Sequence, residues 1–228
     1  MLTHVESQAL RLSLEVAALS VLLTLPFAIA CAWLLARRQF PGKALVDAFV
    51  HLPLVLPPVV VGYFLLLVFG TRGPIGSWLN ETFGLRLVFT KQGAALATAV
   101  MSFPFVVRAI RLAVENIDRG LEEAARTLGA GAWDRFATIT LPLMLPGILA
   151  GTIVAFSASL GEFGAVITFV SNVPGETQTL PLALYSAIQS PDGDVPALRL
   201  ALISIGLGFA GLVLAEFLAR AVRARLGR

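Results

Sequence analysis

The chain contains apolar runs too long for the interior of a soluble domain. The first, Ser13–Ala36, spans about 24 residues; as a helix it would be about 36 Å long, enough to cross a bilayer core with some tilt. Lipid offers no partners to backbone N–H and C=O groups, so only helices and closed barrels cross it, and continuous rather than alternating apolarity selects the helix. Four more runs follow, at about Ala44–Phe69, Gly93–Ala113, Leu143–Val170 and Ala197–Ala219. The expected fold is an all-α integral membrane domain of about five transmembrane helices. A sixth crossing would need part of Gly70–Gln92 or the N-terminal segment, neither of which is strongly apolar. Composition agrees: 57% of residues are hydrophobic and 14% charged, with a mean hydropathy of +0.85, against about 25% charged in soluble domains.

The Lys and Arg residues orient the bundle. Of 17, five lie in the N-terminal segment and alternate loops: Arg11, Arg72, Arg86, Lys91 and Arg199. The other twelve sit in the turn after the first run, in the interval before the fourth, and in a tail containing Arg220, Arg223, Arg225 and Arg228. Basic loops stay in the cytoplasm. The expectation is an N-terminus outside, a C-terminus inside, and the interval 115–142 on the cytoplasmic side. The net charge of +3 is explained by this topology and is no nucleic-acid signature.

Two spans are irregular. The second holds HLPLVLPPVVVGY, with Pro53, Pro57 and Pro58 inside six positions. Each proline removes a donor and obstructs a carbonyl, so the helix must break where neighbours or water satisfy the freed groups. That favours a broken helix inside the bundle, beside a path or gate. The fourth run is longer than one crossing needs and is interrupted by glycines around SLGEFGA. Its Glu162 would cost roughly 3 kcal/mol at the membrane centre, so it should face the bundle or water. It is read as a gate or polar contact on the path, or as a carboxylate that snorkels or pairs near the outer surface. A carboxylate is a poor ligand for an anion, so binding is not its expected task if the substrate is an oxyanion. The hydroxyls of Ser157 and Ser159 could line the path or bond back to their own helix. Pro57, Pro58, Ser157, Ser159 and Glu162 are therefore the path candidates.

Other chemistry finds no support. The single Cys31 allows no intrachain disulfide, and His4 and His51 have no metal-ligand spacing. The only Gly-Lys pair, Gly42-Lys43, lacks the glycine five positions earlier and the Ser or Thr after it that a phosphate-binding loop needs. No nucleophile–base pair stands out. The chain is expected to be non-catalytic and to bind no cofactor. The N-terminal run is too long for a signal peptide and its basic cluster follows it, so it is expected to be retained.

The interval ENIDRGLEEAARTLGAGAWDRFATITLP, residues 115–142, is the longest polar one. It is rich in helix formers and should fold as a surface helical hairpin that docks a soluble partner, or lie as an ordinary loop on the membrane. Ala124 and Ala125 would allow close helix approach. Gly129 can end a helix in the left-handed conformation. Trp133 and Phe136 are of the type that anchors interfaces.

Its spacing runs Glu123-Ala124-Ala125, three residues, Gly129, nine residues, Ile139, one residue, Leu141-Pro142. This resembles the EAA loop of ABC-importer permeases at every marked position. HLPLVLPPVVVGY, RTLGAGAW, SLGEFGA and FVSNVPGETQTLP further resemble the permease subunits of bacterial molybdate importers, over about Leu10–Arg220. The resemblance implies a permease domain over residues 10–220, a homodimer in the bacterial inner membrane, and a pair of cytoplasmic ATP-binding subunits docked on Glu123, Ala124, Ala125, Gly129, Ile139, Leu141 and Pro142. It further implies a periplasmic binding protein received by the loops 70–92 and 171–196, and an oxyanion moved by alternating access. Sulfate and tungstate are alternatives to molybdate. An ATP-independent carrier and a membrane scaffold are alternatives of other classes.

Overall fold

The computed structural model describes residues 3–225; among these no strand occurs. Arg228 lies outside the described residues, as do the side chains of Arg223 and Arg225. Helix α1, His4–Arg37, begins at a capping box in which Thr3 and Glu6 each accept from the other's backbone N–H. A short turn leads to α2, Lys43–Val55, and α3, Pro58–Phe69. Their axes meet at 115° across the break at Leu56-Pro57. Pro57 is the N-cap of α3, and its carbonyl accepts from the N–H groups of Val60 and Val61. The sequence therefore locates this break correctly. The pair is less enclosed than expected, however: on α2 only Val50 is buried, and Phe49 and Val55 are open in the single chain.

The interval 70–92 is not simply a loop. It contains α4, Pro74–Phe83, whose Trp78 and Phe83 rings meet edge to face at 5.5 Å. Pro74 in the first turn starts this helix, and Gly84 ends it with φ +66°. Helix α5, Lys91–Glu115, then crosses the molecule beside α1. The two run parallel: Lys91 Nζ lies 3.1 Å from Glu15 near their N-termini, and Thr24 Oγ1 donates to the Ala99 carbonyl at 3.4 Å midway. Alanines 17, 28 and 32 of α1 and 94, 95 and 97 of α5 are fully buried, which lets the pair approach closely.

After α6, Arg119–Thr127, the chain enters one nearly continuous helix: α7, Ala132–Arg135, a π-helical turn, Phe136–Thr140, and α8, Leu141–Leu160. The fourth span thus begins well before the expected Leu143 and passes through Pro142. The π turn has a local cause. Pro142 lacks an N–H and its ring obstructs the carbonyl four residues earlier, so the helix widens there and Leu141 N–H bonds to Phe136 instead. The same span breaks at residues 161–163 and resumes as the short α9, Gly164–Val170. Helix α10, Leu180–Ile188, occupies the second outer interval, with Leu180, Leu182 and Ala183 buried. Its Leu180 N–H donates to Ser13 Oγ of α1 at 2.7 Å. Helix α11, Asp194–Arg225, completes the bundle, and Arg199 pairs with the buried Glu6 at 3.2 Å.

Among the described residues four helices are long and apolar enough to cross a membrane, and the bent α2–α3 pair supplies a fifth crossing if counted as one span. One end of the bundle carries Glu6, α4, α10 and Arg199. The opposite end carries the turn after Arg37, α6 and α7.

Glycine sets the closest approach between α3 and α9. A Cβ at Gly62 would lie 2.6 Å from the Ala165 carbonyl oxygen and 2.8 Å from Thr168 Cβ, whereas one at Gly206 of α11 would meet nothing. Gly62→Val should cost about 1–3 kcal/mol of overpacking and lower the thermal midpoint in detergent. Gly206→Ala should leave it unchanged. Equal midpoints for all three proteins would contradict this packing.

Candidate functional site

The polar interval folds into a compact element at the end of the bundle that carries Arg37. Asp118 caps α6, its carboxylate accepting from Gly120 N–H at 2.8 Å. The helix is amphipathic in an unusual sense. Leu121, Ala124, Ala125 and Leu128 share one face; Arg119, Glu122, Glu123 and Arg126 share the opposite one, as 3.6 residues per turn require. The apolar face is open: Leu121 is 48% exposed and Leu128 88%. An apolar helix face left uncovered marks an interaction site.

The C-terminus of α6 is a six-residue closure. Ala130 N–H bonds to the Ala125 carbonyl and Gly129 N–H to that of Arg126, both at 3.0 Å, with Gly129 at φ +87°. A Cβ at Gly129 would meet no atom, so glycine is needed here for backbone conformation rather than for space. Arg135 Nη1 then donates to the Ala130 carbonyl at 2.6 Å, holding α7 against the turn.

Three contacts tie this element to the spans. Glu122 Oε1 accepts from Arg37 Nη2 at 3.0 Å and from Thr140 Oγ1 at 2.8 Å, so one carboxylate joins α6, the end of α1 and the start of α8. Phe136 meets Trp33 of α1 edge to face at 6.2 Å and stacks with Trp133 at 5.6 Å. Within α1 and its cap, the Arg38 guanidinium lies 5.6 Å from the centre of the same Trp33 ring. Trp133 itself is 78% exposed.

The residues of the spaced pattern divide between two places. Glu123, Ala124, Ala125 and Gly129 lie on α6 and its closure. Ile139, Leu141 and Pro142 lie at the root of the span, where Leu141 packs on the core between α1, α5 and α8. The ionic tie is made by Glu122, not by its exposed neighbour Glu123. Sequence reading missed Glu122, Arg37 and Thr140; the paired carboxylates at 122 and 123 were visible, but nothing local says which one turns toward α1.

The path candidates surround a second place. A cavity of about 280 Å³ lies between the α2–α3 break, the middle of α5 and the α8–α9 break. Pro58, Ser159 and Glu162 line it, with Thr98 and Ser102 of α5 opposite. Pro57 sits in the break beside Pro58 but not on the wall. Ser157 points away, toward α11: a Cβ at Gly211 would lie 2.9 Å from its Oγ. The wall hydroxyls are engaged. Ser159 Oγ shares a hydrogen bond with Ser20 Oγ at 2.9 Å, Thr98 donates to the Ala94 carbonyl at 2.7 Å, and Ser102 to that of Ala99 at 3.3 Å. Glu162 Oε1 accepts from Ala165 N–H at 2.9 Å, satisfying a donor that the break in the span exposes. Arg111, near the C-terminus of α5, bonds Asp47 of α2 and Glu115, both at 2.8 Å. Among the described residues, no cluster of His, Cys, Asp or Glu is arranged to hold a metal.

With this geometry in hand, comparison with known proteins is decisive. Residues 24–224 match the family described as the binding-protein-dependent transport system inner membrane component. The chain belongs to this family. It is 61% identical over 227 residues to the molybdenum transport system permease protein ModB of Escherichia coli K12, covering 100% of this chain and 99% of that one. It is 56% identical to the protein of the same name from Haemophilus influenzae, covering 98% and 97%. The sulfate transport system permease protein CysT of Escherichia coli K12 is 38% identical over 89% of this chain and 71% of its own. Among solved structures, a bacterial ABC transporter that imports the acidic polysaccharide alginate matches with a TM-score of 0.75 at 18% identity, over 96% of this chain and 80% of that one. The MetNI methionine ABC transporter, in inward-facing conformations, matches with a TM-score of 0.69 at 17% identity, over 95% and 94%. These two likenesses establish that the helices share the ABC-permease fold.

Two outcomes test the local account. Gly129→Val forces a β-branched residue into the left-handed region, at roughly 1–2 kcal/mol or more. It should open the end of α6 to proteases that cleave after Arg126, whereas Gly129→Asn should stay near wild type. Glu122→Gln removes the charge facing Arg37, whose side chain is only 9% exposed; it should raise the same cleavage rate more than Thr140→Val does. Cleavage unchanged in Glu122→Gln would remove the carboxylate from its anchoring position.

Proposed function

We propose that this chain is the channel-forming permease subunit of an ATP-driven importer that moves molybdate across a bacterial inner membrane. The observation that carries the reading is the identity of 61% along the whole chain with a molybdenum transport permease. The open apolar face of α6 supports it, because it supplies a docking surface for a separate ATP-binding subunit where this chain has no phosphate-binding loop of its own. The permease domain is taken as residues 10–220, with the docking loop 115–142 in the cytoplasm, the N-terminus outside and the C-terminus inside. Grouping of the turn after Arg37 with α6 and α7 at one end of the bundle supports that orientation.

The assembly is a homodimer with two ATP-binding subunits, one on each docking loop, and a periplasmic binding protein at the opposite end. The exposed apolar residues of α2, such as Phe49 and Val55, offer surface to the second copy or to lipid. The binding protein delivers the oxyanion between the two copies. ATP-driven closure of the ATP-binding pair pushes on α6. Because α7, the π turn and α8 form one helix of 29 residues, the push reaches Ser159 and Glu162 at the small cavity. There Glu162 acts in gating: its carboxylate repels an anion and holds the α8–α9 break, while Pro57 and Pro58 keep the opposing wall irregular. Ser157, turned to α11, supports helix packing rather than the path. The 38% identity to a sulfate permease keeps sulfate as the second reading of the substrate, with tungstate chemically close to molybdate.

Reconstitution in liposomes with the ATP-binding subunit and binding protein tests the reading. Labelled molybdate uptake should require ATP, be competed by tungstate and resist sulfate. Uptake without ATP would overturn the importer assignment, and competition by sulfate would move the substrate to the second reading. Glu162→Gln should insert normally yet raise the number of ATP molecules spent per ion. An unchanged ratio with unchanged uptake would leave Glu162 a purely structural cap.

A further inference from the structure

A cavity of about 700 Å³ opens at the α6 end of the bundle, between the last two turns of α1 and the inner side of the docking loop. It is distinct from the apolar face of α6, because the face that lines it is the opposite one, with Arg119, Glu122, Glu123 and Arg126. Its wall is graded. Ile29, Ala30 and Trp33 of α1 form the deep part, while Arg37, Arg38 and Arg135 join the α6 residues at the rim. From Ile29 to Arg37 is about 12 Å of helix rise, so the cavity runs from the charged end of the bundle into its apolar part.

The rim has an excess of positive charge. Arg37 is paired with Glu122, which leaves Arg38, Arg119, Arg126 and Arg135 facing the single carboxylate of Glu123. Arg119 and Arg126 make no ion pair with any described residue. Arg37 is not one of the open cations: its side chain is only 9% exposed and its charge is taken up by Glu122. Four guanidinium groups around one carboxylate call for an oxyanion, and Arg is the side chain whose planar fork suits phosphate best. The apolar wall beneath calls for hydrocarbon.

We propose that this cavity is a binding site for one anionic phospholipid. The phosphate sits between Arg119 and Arg126, and an acyl chain lies along Ile29, Ala30 and Trp33. The shared chemistry is a tetrahedral oxyanion, which soluble phosphate could also supply; the apolar wall commits the site to lipid. The lipid would brace the cationic face of α6 from the membrane side while its apolar face engages the ATP-binding subunit. Anionic lipid would thereby stiffen the docking loop. The proposal needs this end of the bundle to lie at a membrane surface but is independent of which ion is transported.

Native mass spectrometry of the complete complex, permease with its ATP-binding subunits, tests it with phosphatidylglycerol and phosphatidylethanolamine of matched chains. Each cation at an anionic surface contributes about a fivefold gain in affinity. The double variant Arg119→Gln/Arg126→Gln should therefore retain phosphatidylglycerol roughly tenfold or more less well, with phosphatidylethanolamine unaffected. Ala30→Trp keeps every charge and fills the deep part, so it should lower retention too, and it remains informative if the double variant fails to assemble. Wild-type retention of phosphatidylglycerol in either assembled variant overturns the proposal. Displacement of the retained lipid by excess inorganic phosphate would reassign the site to a soluble anion and overturn it as well.

Discussion

Hydrocarbon offers no partner to a free N–H or C=O, and every irregularity in this chain is arranged around that constraint. The two broken spans break opposite one another. The α2–α3 break and the α8–α9 break meet across one small cavity with the middle of α5 between them. Each break is satisfied from within: the Pro57 carbonyl takes up the first donors of α3, and the Glu162 carboxylate takes the Ala165 N–H. A carboxylate in a span is costly, and here it offsets an exposed donor that the break creates. The cavity that the proposed path would use therefore lies where regular helix is given up.

The same constraint explains how a polar loop is joined firmly to the helix that reaches this cavity. Pro142 could have ended the fourth span at the membrane surface. Instead the helix widens into a π turn and continues, so Ala132–Leu160 is one rod of about 43 Å. Glu122 fastens α6 to the base of this rod through Thr140 and to α1 through Arg37. Force applied to α6 has a stiff route to Ser159, and the turn at Gly129 lies between α6 and α7 rather than between the loop and the span. On this account the spaced residues of the loop serve two purposes: the first half presents a surface, and the second half begins the lever.

Much of this was legible from sequence. Long continuous apolar runs gave helical spans, and Pro53, Pro57 and Pro58 marked the break that separates α2 from α3. The helix-ending role of Gly129 followed from its residue type, because glycine takes the left-handed conformation readily. What stayed hidden depended on partners distant in the chain. Whether Glu122 or Glu123 faces inward is decided by Arg37, more than eighty positions earlier. Whether Ser157 or Ser159 faces the cavity is decided by the packing of α11 and α1. The continuation of the helix through Pro142 ran against the usual reading of proline as a boundary. Helix α4, despite Pro74 and Gly84 at its ends, was masked by the polarity of its surroundings.

The central claim is that α6 works with two opposite faces, apolar toward the ATP-binding subunit and cationic toward the membrane. Photocrosslinking in the assembled transporter measures this directly, with a reactive side chain placed in turn at Leu121, Leu128, Arg119 and Arg126. The account predicts crosslinks to the ATP-binding subunit from Leu121 and Leu128 and to lipid from Arg119 and Arg126. Crosslinks to the ATP-binding subunit from Arg119 and Arg126, with none from Leu121 and Leu128, would contradict it.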